Sequence, residues 1–261
     1  MFSSAQHKQL KAPWIPITTS LSFLFREKKV LLWSMILSLC TVIVTWVSFS
    51  FATSYIDGLS TGLFDVSNVD ASWWNTVKSW LLSGLSLFYL IGTRIICFYL
   101  SFLVAYTLTS PGYFFLSHAA EKIYSGQHFD PDAAFTLKGA LVDLWEGIKI
   151  GFMGVIVTIF GFALNFIPII GQILLILTYT VYSALIFVDY PASRRRWTLG
   201  KKITWLKQNK FTGLRIGLLP ALISLVPILN IFGMALIFPL MTVHATLNFS
   251  NIEIFHKNQK R

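Results

Sequence analysis

The run Asn165-Phe166-Ile167-Pro168-Ile169-Ile170-Gly171-Gln172 lies in the middle of a long uncharged stretch, and a related run, Val226-Pro227-Ile228-Leu229-Asn230, lies in a second one. Proline lacks an amide hydrogen and clashes with the preceding turn, so each run predicts a break in an apolar helix. In lipid, such a break is tolerated where other helices or a water-lined cavity satisfy the freed carbonyls, so we expect both prolines to be buried among helices. Paired breaks are typical of transport proteins, although an ordinary turn between packed helices explains each one taken alone.

The composition indicates a membrane protein. Of 261 residues, 55% are apolar and 12% charged, and the mean hydropathy is +0.65, whereas a soluble domain carries about 25% charged residues. The net charge is +10, but the basic residues lie at the ends of apolar segments and not among exposed aromatics, so we expect no nucleic-acid partner. Cys40 and Cys97 lie inside apolar stretches, and their number and spacing exclude a disulfide framework or a CxxC metal site.

Two apolar segments are long enough to span a bilayer. Val30 to Phe51 carries no charge and measures about 33 Å as a helix, against about 30 Å for the hydrocarbon core. A second region runs from Trp80 to Leu116, and we expect Ser110-Pro111-Gly112 to end its helix. Even when it ends before Ser110, this helix is longer than the hydrocarbon core of the bilayer, so it must tilt or protrude.

Two pairs of shorter apolar arms flank the predicted breaks. The arms are residues 150–166 and 173–188 in the first pair, and 216–226 and 228–247 in the second. Tilt or local thinning leaves a full crossing open for the first pair, whereas the shortest arm, about 16 Å long and cut by Pro220, favours a hairpin that enters and leaves by one side. Pro239 is expected to cut the return arm. We therefore predict an all-α polytopic membrane protein with long transmembrane helices and proline-broken, partly half-penetrating helical hairpins.

Lysine and arginine near the membrane predict the orientation through the positive-inside rule. We expect a cytoplasmic segment 1–29, a membrane domain 30–250 with cytoplasmic loops 117–149 and 189–215, and a cytoplasmic tail 251–261, while 52–78 lies outside. The loop 189–215 holds eight basic residues: Arg194, Arg195, Arg196, Lys201, Lys202, Lys207, Lys210 and Arg215. Topology and solvation are the favoured explanation for them, and binding of acidic phospholipid head groups is the alternative.

No motif supports an enzyme. The sequence lacks GxSxG, HExxH, a P-loop and a dinucleotide fingerprint, so we expect no enzymatic activity, cofactor or metal. His118 and Glu121 share a helix face, but no further ligand is spaced to join them, and we expect surface hydrogen bonds there. Asp130-Pro131-Asp132 is typical of a turn that leads into the next helix.

A few polar residues lie at membrane depth, where they usually face a partner or a water path. Arg94 lies about 21 Å inward from Trp80, so it either snorkels to the cytoplasmic interface or lines a pore. Asn165 and Asn230 are further candidates for pore lining, although we expect their amides, like that of Gln172, to satisfy backbone groups at the breaks. For His244 we favour a helix–helix hydrogen bond over a role in proton coupling.

Several motifs resemble the CysZ-type sulfate permeases and occur in the same order. They are Thr109-Ser110-Pro111-Gly112-Tyr113-Phe114 with Glu121-Lys122, the run 165–172, Asp189-Tyr190-Pro191, and the run 226–230 followed by Pro239 and Ala245-Thr246. The resemblance covers about residues 18 to 250. It implies uptake of sulfate across a bacterial inner membrane for cysteine synthesis, by oligomers of an all-helical protomer that mixes full spans with half-penetrating helices.

The sequence departs from that family at the expected anion site. Members resemble Gly-Leu-Arg-Arg at the start of the first membrane helix, where backbone amides and arginines meet sulfate, whereas this chain has Arg26-Glu27-Lys28-Lys29. Helix-start amides still favour an anion, and lysine supplies a point charge without bidentate geometry. We therefore predict that Arg26, Lys28 and Lys29 bind sulfate or a related oxyanion. We also expect contacts with membrane lipids and a homo-oligomer, and a non-transporting scaffold or adaptor is the alternative function.

Overall fold

A computed structural model describes residues 12–60, 73–128 and 137–259, and the chain is all-helical in these ranges. The predictions for residues 1–11, for residues 61–72, for Asp130-Pro131-Asp132 and for Lys260 and Arg261 lie outside the described residues. The helices are α1 Ile17–Arg26, α2 Lys28–Ser60, α3 Trp73–Ser125, α4 Leu137–Leu164, α5 Ile170–Ser193, α6 Leu199–Gln208, α7 Lys210–Ser224 and α8 Pro227–Gln259, with a 3₁₀ turn at Gly126–His128. The predicted all-α polytopic fold is confirmed.

The described helices form two compact units. The larger unit contains the described residues up to Met35 and from Pro111 onward, and the smaller unit contains those of Ile36–Ser110. Helices α2 and α3 each contribute residues to both units, whereas α1 and α4 to α8 belong to the larger unit alone. All candidate anion-binding residues therefore lie in the larger unit.

Five of the described helices contain a segment long and apolar enough to cross a membrane. These segments are Lys28–Leu59, Trp80–Ser125, Trp145–Leu164, Ile170–Ser193 and Gly233–Gln259. Helix α7 is not among them, because its 15 residues measure only about 22 Å against a core of about 30 Å. The second pair thus has one short arm, as the sequence predicts, and a return arm, α8, that is long enough to span.

Three prolines that the sequence predicts to end or cut helices lie inside continuous helices, so that prediction is wrong. They are Pro111 in α3, Pro220 in α7 and Pro239 in α8. In membrane helices, neighbouring helices and side chains can satisfy the carbonyl that a proline frees. Burial of the next turn favours continuation, since Tyr113 and Leu116 after Pro111 are fully buried. Tertiary packing therefore overrides the local preference.

The predicted break at Pro168 is confirmed, but its environment differs from the prediction. The amide of Ile170 donates to the carbonyl oxygen of Pro168 at 2.6 Å, which closes a tight turn around Ile169 at φ 60°. Residues 165–170 are all exposed, with Ile169 at 76%. The prediction that Pro168 is buried among other helices is therefore wrong, and the geometry is that of an ordinary helix–helix turn.

Helix α8 forms the core of the larger unit. Every residue from Thr242 to Ser250 is buried, and the ring of Phe238 lies 4.5 Å from that of Tyr113 and 4.8 Å from that of Phe187. Helix α7 packs closely on α5 at Gly217, where a Cβ atom would overlap the carbonyl oxygen of Thr180. This packing fixes the positions of the loops and short helices that carry the basic residues.

Candidate functional site

Arg26, Lys28 and Lys29 meet where α1 joins α2. Helix α1 ends at Arg26, Glu27 has an extended backbone with φ −89° and ψ 98°, and α2 begins at Lys28. The amide of Leu31 donates to the carbonyl oxygen of Glu27 at 3.0 Å. The amides of residues 28–30 therefore belong to the first turn of a long helix, where N–H groups lack intrahelical partners and the helix dipole favours an anion.

The three basic side chains at this junction are exposed. Within the described ranges, none of them has a hydrogen-bond or ion-pair partner, and neither does the side chain of the half-buried Glu27. Three cations against one carboxylate leave the junction with a net positive charge. This arrangement attracts a small anion and leaves the cations available to bind it.

Buried contacts on both sides hold the junction in place. On its amino-terminal side, the hydroxyl of Ser20 in α1 lies 2.8 Å from Nδ1 of His244 in α8, and the Trp14 ring packs edge-on against His244 at 5.0 Å. On the other side, Val30 is fully buried and Trp33 stacks on Phe115 at 5.7 Å. The predicted helix–helix hydrogen bond of His244 is thereby confirmed.

A second basic cluster lies where α5 ends, and it is buried. Arg194 donates from Nη1 to Oε2 of Glu121 at 2.5 Å, and Arg195 donates from Nη2 to Oε1 of the same carboxylate at 2.5 Å. The side chains of Glu121 and Arg194 are each 1% exposed and that of Arg195 is 17% exposed. The prediction of surface hydrogen bonds at Glu121 is wrong, because the fold brings in partners more than seventy residues away.

Helix α6 is tied to the first hairpin by two further charged contacts. Lys202 is buried and donates to Oδ1 of Asp189 at 2.5 Å and to the hydroxyl of Ser193 at 2.9 Å. Glu146 in α4 accepts the backbone amide of Leu199 at 2.6 Å. These contacts fix the segment between α5 and α7, so Arg194, Arg195 and Lys202 stabilise the fold and are not open to a ligand.

The candidate pore-lining residues are distributed over both units. In the smaller unit, Nη2 of Arg94 lies 2.7 Å from Oδ2 of Asp57, and the two side chains are 34% and 54% exposed. Asp57 lies in α2, which extends beyond the predicted span end at Phe51. The snorkelling alternative did not foresee a partner in α2, and pore lining by Arg94 stays a prediction.

The two asparagine candidates lie at the helix breaks. Asn165 donates from Nδ2 to the carbonyl oxygen of Gly161 at 3.0 Å and accepts from Gln172 at 3.1 Å. The expected role of the Asn165 amide in satisfying backbone groups is thus confirmed. Asn230 lies in the first turn of α8, and its side chain is outside the described residues. Pore lining by either asparagine stays a prediction.

The α1–α2 junction offers electrostatic binding of an anion. Among the described residues, no group of three or more His, Cys, Asp or Glu side chains could hold a metal ion. The α1–α2 junction combines exposed cations with helix-start amides, and both groups recognise an oxyanion through charge-assisted hydrogen bonds.

The comparison with known proteins identifies one family. A family model described as Sulfate transporter CysZ/Etoposide-induced protein 2.4 matches residues 17–235. The match includes the α1–α2 junction, the buried cluster around Glu121 and both helix breaks. No curated protein matches the chain.

Proposed function

Because this chain belongs to the sulfate transporter CysZ/etoposide-induced protein 2.4 family, we propose that it mediates uptake of sulfate or a closely related small oxyanion across a membrane. The family is of transporter type, and the five apolar segments long enough to cross a membrane support a multi-pass protein. The observation that carries the proposal is the set Arg26, Lys28 and Lys29 at the start of the first long helix, which is exposed and has no partner among the described residues.

In this proposal, the junction captures the anion at the membrane surface. The long-range field of three cations attracts the dianion, and the amides at the start of α2 donate hydrogen bonds to its oxygens. Lysine supplies point charge and no rigid fork, so the junction selects for charge more than for tetrahedral geometry. Glu27, half-buried between the cations, lowers the affinity but leaves the net charge positive.

The proposal extends to cellular context. We place the protein in a bacterial inner membrane, as a homo-oligomer that supplies sulfate for cysteine biosynthesis, with both termini and residues 189–215 in the cytoplasm and 52–78 outside. The positive-inside rule supports this orientation.

Cysteine labelling tests the orientation in a background that lacks Cys40 and Cys97. One cysteine is introduced at Gly200, which is exposed with open space around it, and another at Ser67. The two should label from opposite sides of intact spheroplasts. Labelling of both from outside would contradict the orientation.

The alternative is a scaffold or adaptor that does not transport. The feature that favours it is the run Arg26-Glu27-Lys28-Lys29, which lacks the glycine and the arginine forks of the Gly-Leu-Arg-Arg run that the family resemblance implies for sulfate binding. Both candidates predict a folded membrane protein, so only a flux measurement separates them.

The test is uptake of radiolabelled sulfate into proteoliposomes. We expect the parent protein to take up sulfate above the level of protein-free vesicles, and the Lys28→Ala/Lys29→Ala variant to take up much less. Excess thiosulfate, sulfite or molybdate in the same assay ranks the oxyanions by competition. Uptake no higher than in protein-free vesicles, by correctly folded protein, would favour the scaffold.

A further inference from the structure

An apolar groove of about 640 Å³ lies on the larger unit between α4, α5, α6 and α7. Its walls are formed by aliphatic side chains, which include Val157, Leu177, Val181, Leu185, Leu206 and Leu214. Leu177 and Val181 are 48% and 50% exposed, so this wall is open to the surroundings. Because α4 and α5 are membrane-spanning candidates, those surroundings include the hydrocarbon of the bilayer.

The length of the groove matches one leaflet. From Leu177 to Leu185, its wall follows α5 for about 12 Å, and one half of the hydrocarbon core is about 15 Å thick. An extended acyl chain in the same leaflet can follow an apolar wall of this length.

Two lysines line the groove at the end formed by α6 and α7. They are Lys207, the second-last residue of α6, and Lys210, the first residue of α7. Both are exposed, and Lys207 has no ion-pair or hydrogen-bond partner in the part of the chain that the structure describes. None of the described residues that line the groove is acidic, so this end is positively charged beside an apolar wall.

These two lysines differ from three other cations of the same segment. Arg194, Arg195 and Lys202 are buried in ion pairs with Glu121 and Asp189. Within the described residues, Lys207 and Lys210 form no such pair, and Nζ of Lys210 lies 5.5 Å from the centroid of the Phe211 ring. Their position is therefore not explained by stabilisation of the fold.

We propose that this groove binds a phospholipid with an anionic head group. One acyl chain lies along Leu177, Val181 and Leu185, and the phosphate lies between Lys207 and Lys210, where the lysine stems reach the membrane interface. A free oxyanion would leave the apolar wall unused. The inference does not rest on sulfate transport, because the groove lies apart from the junction residues 26–29 in the sequence and shares no residue with them.

The test is native mass spectrometry of the full chain in detergent with an equimolar mixture of phosphatidylglycerol and phosphatidylcholine. We expect the parent to retain phosphatidylglycerol preferentially. The Lys207→Gln/Lys210→Gln variant should lose that preference by about thirtyfold, roughly fivefold for each lysine near an anionic surface. The Lys201→Gln/Lys257→Gln variant removes the same charge outside the groove and should retain lipid as the parent does.

A second variant tests the apolar wall separately. Val181→Trp fills the groove at an exposed position and keeps both lysines, so it should reduce retention of both lipids. The proposal is overturned if the Lys207→Gln/Lys210→Gln variant retains phosphatidylglycerol as the control does, or if glycerol phosphate without acyl chains displaces the lipid. It is also overturned if a Val181→Cys variant crosslinks to a second copy of the chain in native membranes, because the groove is then an interface between protomers.

Discussion

The two basic clusters of the larger unit contain similar side chains in opposite environments. At the end of α5, Arg194 is 1% exposed and shares the carboxylate of Glu121 with Arg195. At the α1–α2 junction, Arg26, Lys28 and Lys29 are exposed and without partners in the described chain. The first cluster stabilises the fold, whereas the second is available to a ligand.

The difference shows that the role of a basic residue in a membrane protein depends on its burial and on whether a carboxylate of the protein pairs with it. A buried cation is held by a carboxylate, because an unpaired charge away from water is costly. An exposed cation needs no partner from the protein and can meet one from outside. The comparison predicts that mutations in the buried cluster lower the stability of the fold. Mutations at the exposed junction should instead weaken ligand binding and leave the stability nearly unchanged.

The largest loss of stability is expected from Glu121→Ala. The substitution leaves the buried Arg194 without its carboxylate, and breaking a buried pair costs about 3–5 kcal/mol of the free energy of unfolding. The thermal midpoint in detergent should fall by roughly 10 °C. Glu27→Gln removes a carboxylate at the exposed junction and is the matched control, with a midpoint near that of the parent. Equal thermal midpoints for Glu121→Ala and Glu27→Gln would contradict the claim that only the buried cluster stabilises the fold.

A smaller loss is expected from Lys202→Met. Lys202 is buried and donates to Asp189 and Ser193, and hydrogen bonds to charged groups contribute about 1.5–3 kcal/mol. Ser193 still donates to Asp189 at 2.8 Å, so the carboxylate keeps one partner. Lys201→Met alters the neighbouring exposed lysine and should change the thermal midpoint little. If Lys202→Met and Lys201→Met have the same thermal midpoint, burial does not determine how much each lysine contributes to stability.

The ion pair of the smaller unit should contribute less to the free energy of unfolding than Lys202 does. Arg94 and Asp57 are both partly exposed, and pairs of this kind contribute about 0.2–1 kcal/mol. A double-mutant cycle with Arg94→Gln and Asp57→Asn should give a coupling energy in that range. Sulfate uptake by Arg94→Gln also tests the pore-lining prediction, since a loss much greater than that of Asp57→Asn would assign Arg94 a role in transport.

The smallest change in stability is expected at the α1–α2 junction. Lys28→Ala and Lys29→Ala remove exposed side chains that have no partner in the described part of the chain, and such surface substitutions usually change the free energy of unfolding by no more than about 0.5 kcal/mol each. Thermal unfolding in detergent should therefore place the double variant close to the parent. A marked fall in its midpoint would show that these lysines also stabilise the fold.

The sequence predicts the fold class well because membrane helices follow from length and hydropathy. The span that begins at Val30, the break at Pro168 and the short arm α7 are all foreseen. The continuous helices through Pro111 and Pro239 are not, because packing of the following turns decides them. Helix α1 is also missed, since the apolar side chains in residues 17–26 do not form a long run.

The sequence predicts less about the charged groups. It places Arg26, Lys28 and Lys29 at the start of a helix, because that position follows from local order along the chain. It does not reveal that Glu121 pairs with Arg194, because this contact joins residues 73 positions apart. Similarly, Asp57 is expected in a loop and lies in α2 beside Arg94. Long-range ion pairs depend on tertiary structure, and local sequence patterns do not encode them.

The most direct test of the central claim is calorimetric titration of sulfate into purified, correctly folded protein. We predict that Lys28→Ala/Lys29→Ala binds sulfate about a hundredfold more weakly than the parent, because each exposed lysine contributes near the lower end of the 1.5–3 kcal/mol expected for charge-assisted hydrogen bonds. Arginine at both positions should preserve or strengthen binding, and Lys201→Ala/Lys257→Ala should bind as the parent does. Sulfate affinity in Lys28→Ala/Lys29→Ala equal to that of the parent would contradict the assignment of the α1–α2 junction as the anion site.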